Sequence, residues 1–372
     1  MLRINHAVLH GFELEIGQCD LSQREMDLSV KQTKSYVTKS VRHILNNASS
    51  NHGSFLEGSA FCEELGAYFA GTQSFLDISC YVADVLYDAL RKSEDLDSCD
   101  LLVVDFIDTA PKRSSVGSQE AGGAGAGDSA GPSIDAAPDA DVDYDDPGAR
   151  GLALLLLPRK RAFVHDVRCE AGQAYNDIVR HDSTLPNPSQ KIDTYVVIMA
   201  DDMSIDFHDV SRTVMGKKTN IVPDLLLSCT RMASHKEVVD SVTRLAEEVA
   251  QDFGMSSALA AAKAKSYVID VASGADSLAP ERLGDAVFAD ENPEAAAKYR
   301  QELAQQDLPC KVSVGKSAAK RLAKSHRIRT DTGIEISFPS SYAASSDFIS
   351  FERGENGKIV IAIKNVNSIE NR

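Results

Sequence analysis

Apolar positions alternate with polar ones or form short runs in several stretches of the first 230 residues, follow helical spacing in the middle of the chain and alternate again at the end. Within residues 1–230, alternating apolar positions and continuous aliphatic runs predict strands at Arg3–Ile16, Leu101–Ile107, Leu152–Leu157, Ala162–Arg168, Thr194–Ala200, Ile205–Val214 and Ile221–Ser228. Their connections are mostly short, which favours antiparallel pairing. The fold class predicted for the N-terminal part is therefore α+β, with a mostly antiparallel sheet and helices.

Helices are predicted where apolar residues recur three and four positions apart. One begins near Thr33, and a stronger one covers residues 74–92. A third begins at Ser234, whose pairing with Glu237 is a capping box, and ends at Gly254. A fourth begins at Asn292–Pro293 and reaches about Gln306. The first two helices belong to the N-terminal part, and the last two make the middle of the chain helical.

The C-terminal end is predicted to be a small β-meander. Its strands are expected at Gly333–Phe338, Phe348–Glu352 and Lys358–Ile363, and Asn356-Gly357 forms the turn between the last two. Together these patterns predict an α+β domain over residues 1–230, a helical segment over 231–308, and a basic segment with the meander over 309–372.

Two connections between predicted strands carry many charges. Arg159, Lys160 and Arg161 are expected at the tip of a hairpin that joins the Leu152 and Ala162 strands, where they are either solvated or in contact with phosphate. Residues 114–148 join the Leu101 and Leu152 strands and consist mainly of Gly, Ala, Ser, Pro and Asp. This composition predicts a disordered acidic insertion in an elongated hairpin loop.

The net charge of the 372-residue chain is −16, and the acidic insertion explains half of it. Eight acidic residues and no Lys or Arg lie between Arg113 and Arg150. A flexible surface loop is the simpler interpretation of the insertion. The alternatives are a nucleic-acid mimic that competes for the cations of the chain, or a site that recruits a protein partner.

Near the C-terminus, residues 311–329 carry seven cations and no acidic residue, which are Lys311, Lys316, Lys320, Arg321, Lys324, Arg327 and Arg329. A helix over residues 316–327 would place four of them on one face. Such a face can simply be solvated. In an acidic protein, however, this density of positive charge favours contact with phosphate.

Composition restricts the class of protein further. Seven scattered cysteines without a CxxC pair indicate reduced thiols inside the cell. We also expect no signal peptide and no membrane span, because the longest aliphatic run is Leu152–Leu157. With no Trp and 6% aromatic residues, a single-strand binder built on base stacking is disfavoured.

Two short peptides resemble phosphate-binding loops but lack the required spacing. In Gly315-Lys316-Ser317 the first glycine of a P-loop would fall on Cys310, and in Gly216-Lys217-Lys218-Thr219 it would fall on Ser211. Lys217 and Lys218, together with Arg212, are better interpreted as a basic turn that either touches phosphate or keeps the surface soluble.

The sequence evidence for catalytic groups is weaker than that for phosphate contact. The pairs His165-Asp166, His181-Asp182 and His208-Asp209 are adjacent in sequence, so in a strand their side chains point to opposite faces. Acidic residues between Asp201 and Asp209 could hold Mg²⁺ in a nuclease, but an acidic turn explains them more simply. No catalytic residue, metal site or cofactor is predicted.

Several peptides along the chain are similar to those of a known family. They are Ile4-Asn5-His6-Ala7-Val8-Leu9-His10, Tyr36-Val37, Ile44-Leu45, Gly53-Ser54-Phe55 with Phe61, Pro223-Asp224-Leu225-Leu226-Leu227, Ser234-His235-Lys236-Glu237, Thr330 to Pro339 and Ile359 to Asn365. In this order they resemble the bacterial nucleoid-associated protein family typified by YejK. The resemblance implies a cytoplasmic, nucleoid-located, non-enzymatic protein that binds double-stranded DNA as a homodimer.

The function expected from the sequence is therefore chromosome organisation through largely sequence-independent phosphate contacts. The expected DNA-binding residues are the seven cations between Lys311 and Arg329 together with Arg212, Lys217 and Lys218. Two alternatives stay open, a protein-interaction adaptor in a DNA-repair or phage-defence assembly and a metal-dependent nuclease.

Overall fold

The computed structural model describes residues 1–45, 47–94, 96–109, 148–170, 172–273, 277–289, 292–306, 308, 325–344, 347–353 and 359–368. These residues form two compact units, each made of several stretches of chain. The first contains residues 1–43, 63–192 and 196–203, and the second contains 44–62, 193–195 and 204–372.

The described strands are β1 (Leu2–Glu13), β2 (Gln18–Asp20), β3 (Asn51–Gly53), β4 (Cys99–Asp108), β5 (Ala149–Pro158), β6 (Lys160–Glu170), β7 (Gln173–Thr184), β8 (Thr194–Met199), β9 (Ile205–His208), β10 (Arg212–Val214), β11 (Lys217–Thr219), β12 (Ser325–Arg329), β13 (Glu335–Pro339), β14 (Ile349–Arg353) and β15 (Ile359–Ile363). The described α-helices are α1 (Lys31–Ile44), α2 (Ala60–Phe69), α3 (Phe75–Leu90), α4 (His235–Asp252), α5 (Ser257–Ser273), α6 (Pro280–Phe288) and α7 (Pro293–Leu303). The mixture of helices and antiparallel sheets confirms the predicted α+β class.

The first unit is built on a sheet with the strand order β2-β1-β4-β5-β8, to which β8 contributes from Val196 onward. Strands β4 and β5 are antiparallel neighbours, with Asp108 opposite Ala149. This pairing confirms that the acidic insertion connects two strands of one hairpin, although residues 114–147 themselves lie outside the described part of the chain. The aliphatic side chains of β4 and β5 are buried, so this hairpin forms the centre of the core.

The prediction that the Leu152 and Ala162 strands form a hairpin is wrong. Strand β6 pairs with β7 in a separate two-stranded sheet, and sequence analysis did not predict β7. Arg159 is also not at an exposed tip, because its side chain is 12% exposed and forms ion pairs with Asp100 and Glu13. An arginine with so little exposure that pairs with two carboxylates belongs to the structure of this sheet end.

Helices α4 to α7 form the core of the second unit, as the helical spacing predicts. Ser234 and Glu237 make the expected capping box at the start of α4, and Gly254 adopts a positive φ of 69° just after its end. Valine and alanine side chains of α4 pack with α5, α6 and α7 in one buried cluster. Asn292 caps α7 through hydrogen bonds from the backbone N–H groups of Glu294 and Ala295.

Two predicted strands of the second unit take other forms. Residues Ile221–Leu227 form a π-helix instead of a strand. Pro223 has no N–H to donate to a strand ladder, and the carboxylate of Asp224 instead accepts a hydrogen bond from the Asn220 N–H. The predicted Ile205–Val214 strand is divided into β9 and β10, which are separated by residues 209–211. Strand β9 pairs with β3, and β10 pairs with β11.

The C-terminal strands pair as two antiparallel hairpins, β12–β13 and β14–β15. The β14–β15 hairpin confirms the predicted pairing of the last two strands. The helix expected over residues 316–327 is wrong at its end, because Arg327 lies in strand β12. Apolar side chains of both hairpins pack against Ala262 and Leu259 of α5.

Candidate nucleic-acid interface

The exposed face of α1 carries four cations and no acidic residue. Lys31, Lys34, Lys39 and Arg42 are exposed in the sequence Lys31-Gln-Thr-Lys-Ser-Tyr-Val-Thr-Lys-Ser-Val-Arg-His-Ile44. At 100° per residue Lys31, Lys39 and Arg42 share the side that faces away from the buried residues Val37, Ser40 and Val41, and Lys34 lies at the border of this side, next to Val41. The apolar face therefore anchors the helix while the cationic face stays in water.

These four cations are not neutralised by neighbouring side chains. Within the described residues, none of them takes part in an ion pair with Asp or Glu. On α4, by contrast, Lys236 pairs with Asp240 at 3.5 Å and Arg244 pairs with Glu248 at 3.9 Å. The positive potential of α1 is thus available to an external anion.

A hydrogen bond fixes α1 to the rest of the first unit. The hydroxyl of Tyr36 donates to the carbonyl of Pro186 at 2.9 Å, and burial raises the pKa of this phenol. Arg42 and His43 lie in the last turn, where positive charge interacts favourably with the helix dipole. The cationic face is therefore presented by a well-anchored helix and not by a loop.

The dimensions of this face suit a DNA backbone. Lys31 and Arg42 are separated by eleven residues, or about 16 Å along a helix axis. Phosphates of one DNA strand follow one another at about 3.4 Å along the duplex axis. A helix lying along the backbone can thus bring each of its four cations to a different phosphate.

The basic turn predicted around residue 217 is a tight hairpin. Met215 and Gly216 both have positive φ between the paired residues Val214 and Lys217, as in a type I′ turn. This geometry explains why the Gly216-Lys217-Lys218-Thr219 peptide is not a phosphate-binding loop. Lys217 and Lys218 are exposed on β11.

Arg212 differs from its two neighbours because its charge is used inside the protein. Its side chain is 14% exposed and donates to Asp209 at 2.8 Å and to Thr194 at 2.9 Å. Asp209 also accepts from the backbone N–H of Val222 at 2.9 Å. These contacts hold β10 and the π-helix together and leave the guanidinium turned away from solvent.

Most of the predicted C-terminal cations, Lys311, Lys316, Lys320, Arg321 and Lys324, lie outside the described residues. Arg327 and Arg329 are both exposed on one face of β12, whereas His326 and Ile328 point to the opposite, inner face. Arg329 lies 3.9 Å from Glu335 of the neighbouring strand. The structure thus places these two arginines together on the outer face of a small hairpin.

The acidic residues considered for a nuclease are engaged in other contacts. Asp206 lies 2.5 Å from Nδ1 of His52, and this hydrogen bond raises the pKa of the histidine. The ring of His235 is 4.9 Å from that of His52, and burial lowers its pKa. In the part of the chain that the structure describes, no three His, Cys, Asp or Glu side chains are arranged to hold a metal ion.

Comparison with known proteins gives a match to a family model over part of the chain. Residues 8–116 match the family model described as nucleoid-associated protein YejK. The match confirms the resemblance to this family over a segment that begins within β1 and contains α1, α2, α3 and β4. A search of curated proteins gives no match. Among the described helices, none has the length and apolar character needed to cross a bilayer.

The cationic face of α1 lies inside the matched segment, but sequence analysis did not select it. The spacing of Tyr36, Val37 and Val41 indicated only the buried side of this helix. The higher density of cations near residue 320 favoured a DNA-binding site at the other end of the chain. The absence of any acidic residue between Lys31 and Ile44 was the signal that could have identified it.

Proposed function

We propose that the protein is a nucleoid-associated protein that binds double-stranded DNA through largely sequence-independent phosphate contacts. The cationic face of α1 carries this proposal, because it joins four unpaired cations to a segment that matches the nucleoid-associated family. Three of the four are lysines, which act as point charges and suit phosphate better than base edges. The proposed location is the cytoplasm, at the nucleoid.

The net charge of −16 does not oppose this function, because the charge is unevenly distributed along the chain. Eight acidic residues lie between Arg113 and Arg150, whereas α1 has none. Charges more than about 10 Å apart are largely screened at 0.1 M salt. A duplex at α1 therefore responds mainly to the local cations.

The other exposed cations extend the proposed DNA contacts. Lys217, Lys218, Arg327 and Arg329 are exposed in the second unit, and the remaining predicted cations of residues 311–324 stay part of the proposal. For Arg212, the bonds to Asp209 and Thr194 favour a structural role. We therefore place the main contribution to DNA affinity on α1 and a smaller one on these residues.

A matched pair of charge reversals tests the proposal. Lys34→Glu/Lys39→Glu changes two unpaired cations on α1, and Lys236→Glu/Arg244→Glu makes the same change in net charge on α4, where both cations are already paired. Affinity for a duplex of random sequence is measured by fluorescence anisotropy across a salt series. We expect the α1 variant to bind at least about 30-fold more weakly at 0.1 M salt and the α4 variant within about 3-fold of wild type.

Equal losses in the two variants would mean that only total charge matters and would refute a specific role of α1. Circular dichroism confirms that both variants keep their helix content. The same preparations incubated with plasmid and Mg²⁺ also address the nuclease alternative. We expect retarded but uncut plasmid, and cleavage that Asp206→Ala removes would overturn the binding-only proposal.

A further inference from the structure

The β6–β7 hairpin is a separate two-stranded sheet. Strands β6 and β7 pair only with each other within the described chain, and nearly all of their side chains are half-buried or exposed. An isolated two-stranded hairpin is at best marginally stable in water, and three or more strands are usually needed. The outer edge of β6 therefore has backbone donors and acceptors available for a further strand.

The charges of the hairpin are balanced and almost all paired internally. Arg161 and Arg180 pair with Asp182, and Arg168 pairs with Asp166 and Asp177. Lys160 and Glu170, at the two ends of β6, have no ion-pair partner among the described residues. Since four basic and four acidic residues lie between Lys160 and Thr184, the hairpin has no net charge with which to attract DNA.

One face of the hairpin also exposes apolar side chains. Phe163 and Val167 of β6 are 73% and 65% exposed, and Ile178 of β7 is 74% exposed. Their positions in the register with β7 place all three on the same face. The distribution is unusual for a solvated hairpin, because its polar groups are paired while its apolar groups face water.

We propose that the outer edge of β6 pairs antiparallel with β6 of a second copy of this chain, with the two-fold axis at His165. In this register Lys160 lies opposite Glu170 of the other copy, and Phe163 lies opposite Val167. Each of these pairs occurs twice, as two-fold symmetry requires. The two charges that have no partner within one chain thus become the two ends of the interface.

The paired hairpins form a four-stranded sheet with one continuous apolar strip. At the interface each Phe163 side chain lies beside Val167 of the other copy, and these cross-strand contacts remove part of their apolar surface from water. The partner is a second copy because the complementary residues lie on the same strand. Lys160 and Glu170, like Phe163 and Val167, are equally far from His165, so an antiparallel pair of identical strands brings each residue opposite its complement. This dimer is independent of the DNA contacts proposed for α1.

Disulfide trapping tests the register directly. Cys169 is exposed, and in the proposed dimer it lies opposite Arg161 of the other copy. Opposite residues of paired strands are close enough for a disulfide. Arg161→Cys should therefore give a covalent dimer on mild oxidation, whereas the wild-type Cys169 residues are about 26 Å apart along the strands and should not cross-link.

Two controls make the trapping specific. Arg161→Cys/Cys169→Ser removes the partner thiol and should stay monomeric on a non-reducing gel. Ala162→Cys moves the new thiol by one residue, which places it on the other face of the strand. Cross-linking of Ala162→Cys as efficient as that of Arg161→Cys would overturn the proposed register.

Light scattering of the full-length protein tests the charge pairing. Wild type should be a dimer, Glu170→Lys should raise the dimer dissociation constant about 10-fold, and Lys160→Glu/Glu170→Lys should restore it. Phe163→Ser/Val167→Ser should give monomers that still bind DNA. A monomeric wild type, a swap that fails to restore the dimer, or a dimer unaffected by the serine variant would each refute this interface.

Discussion

Helices α1 and α4 have similar amphipathic architecture but use their charges differently. Both bury valine on one face. On α4, cations alternate with carboxylates four residues away, and the capping box adds further bonds at its start. On α1, four cations have no such partners in the described structure. The difference teaches that the number of cations is less informative than whether the same helix neutralises them.

The largest expected effect comes from removing every exposed Lys and Arg charge of α1. Replacing Lys31, Lys34, Lys39 and Arg42 with Gln should weaken duplex binding about 10²–10³-fold at 0.1 M salt, because four phosphate contacts are lost. The slope of log affinity against log salt should also become flatter by about 3.6. A gel shift across a salt series measures both quantities.

The control for this variant is Lys236→Gln/Arg244→Gln on α4. Its affinity and salt slope should stay at the wild-type values, because both cations are already paired. A slope unchanged in the α1 variant would show that DNA binds elsewhere, with the C-terminal cations as the first region to examine.

The next largest effect concerns acid sensitivity in the unit that contains α4. His326 is 5% exposed, neither ring nitrogen has a hydrogen-bond partner, and burial lowers its pKa to about 4. Because the folded pKa lies below the unfolded value of about 6.5, the neutral ring stabilises the fold above pH 6.5, and this contribution is lost as the pH falls towards 4. The loss should reach at most about 3 kcal/mol.

Urea unfolding of wild type and His326→Leu between pH 7 and pH 4 measures this contribution. The leucine variant should be at least as stable at pH 7 and should lose less stability on acidification, because it has no ring to protonate. If both proteins lose the same stability, His326 is not the group responsible.

A single substitution can make α1 resemble α4. Thr38→Glu places a carboxylate four residues from both Lys34 and Arg42. It should stabilise the helix by about 0.5 kcal/mol while weakening DNA binding about 10-fold, since the new carboxylate neutralises part of the cationic face and repels phosphate. Thermal unfolding and anisotropy should therefore change in opposite directions. Thr38→Gln controls for the loss of the hydroxyl.

The smallest expected effect lies in the capping box of α4. Ser234→Ala removes the side chain that accepts from the Glu237 N–H and should lower the free energy of unfolding by about 1 kcal/mol. The affinity of the folded protein for DNA should not change, because this residue contributes to stability and not to the proposed interface. Weaker DNA binding at a temperature where the variant is fully folded would contradict this separation.

The predictable part of the fold was the part with strong local signals. The Leu101 and Leu152 strands, the capping box at Ser234 and the start of α7 at Asn292-Pro293 all carry residues whose local chemistry permits few alternatives. Ile221–Leu227 shows the limit, since an aliphatic run alone cannot distinguish a strand from a buried helical turn.

Pairing between distant residues could not be predicted from the sequence. The sequence suggested that Arg159 and Arg212 are surface cations, but both are largely enclosed and pair with carboxylates. The partner of Arg159, Asp100, lies 59 positions away along the chain. The pairing of β6 with β7 instead of β5 likewise depends on tertiary packing. For the candidate site, the sequence likewise could not show which cations have no carboxylate partner in the fold. The presence or absence of such partners is what distinguishes α1 from α4.

The antiparallel pairing of β4 and β5 has a practical consequence for engineering. Asp108 and Ala149 face each other across the sheet, so the two ends of the intervening chain start side by side. Closing a longer loop between such ends costs only about 0.6 kcal/mol for each doubling of its length. A fluorescent protein fused in place of residues 114–147 should therefore leave the central hairpin intact and report where the molecule resides in living cells.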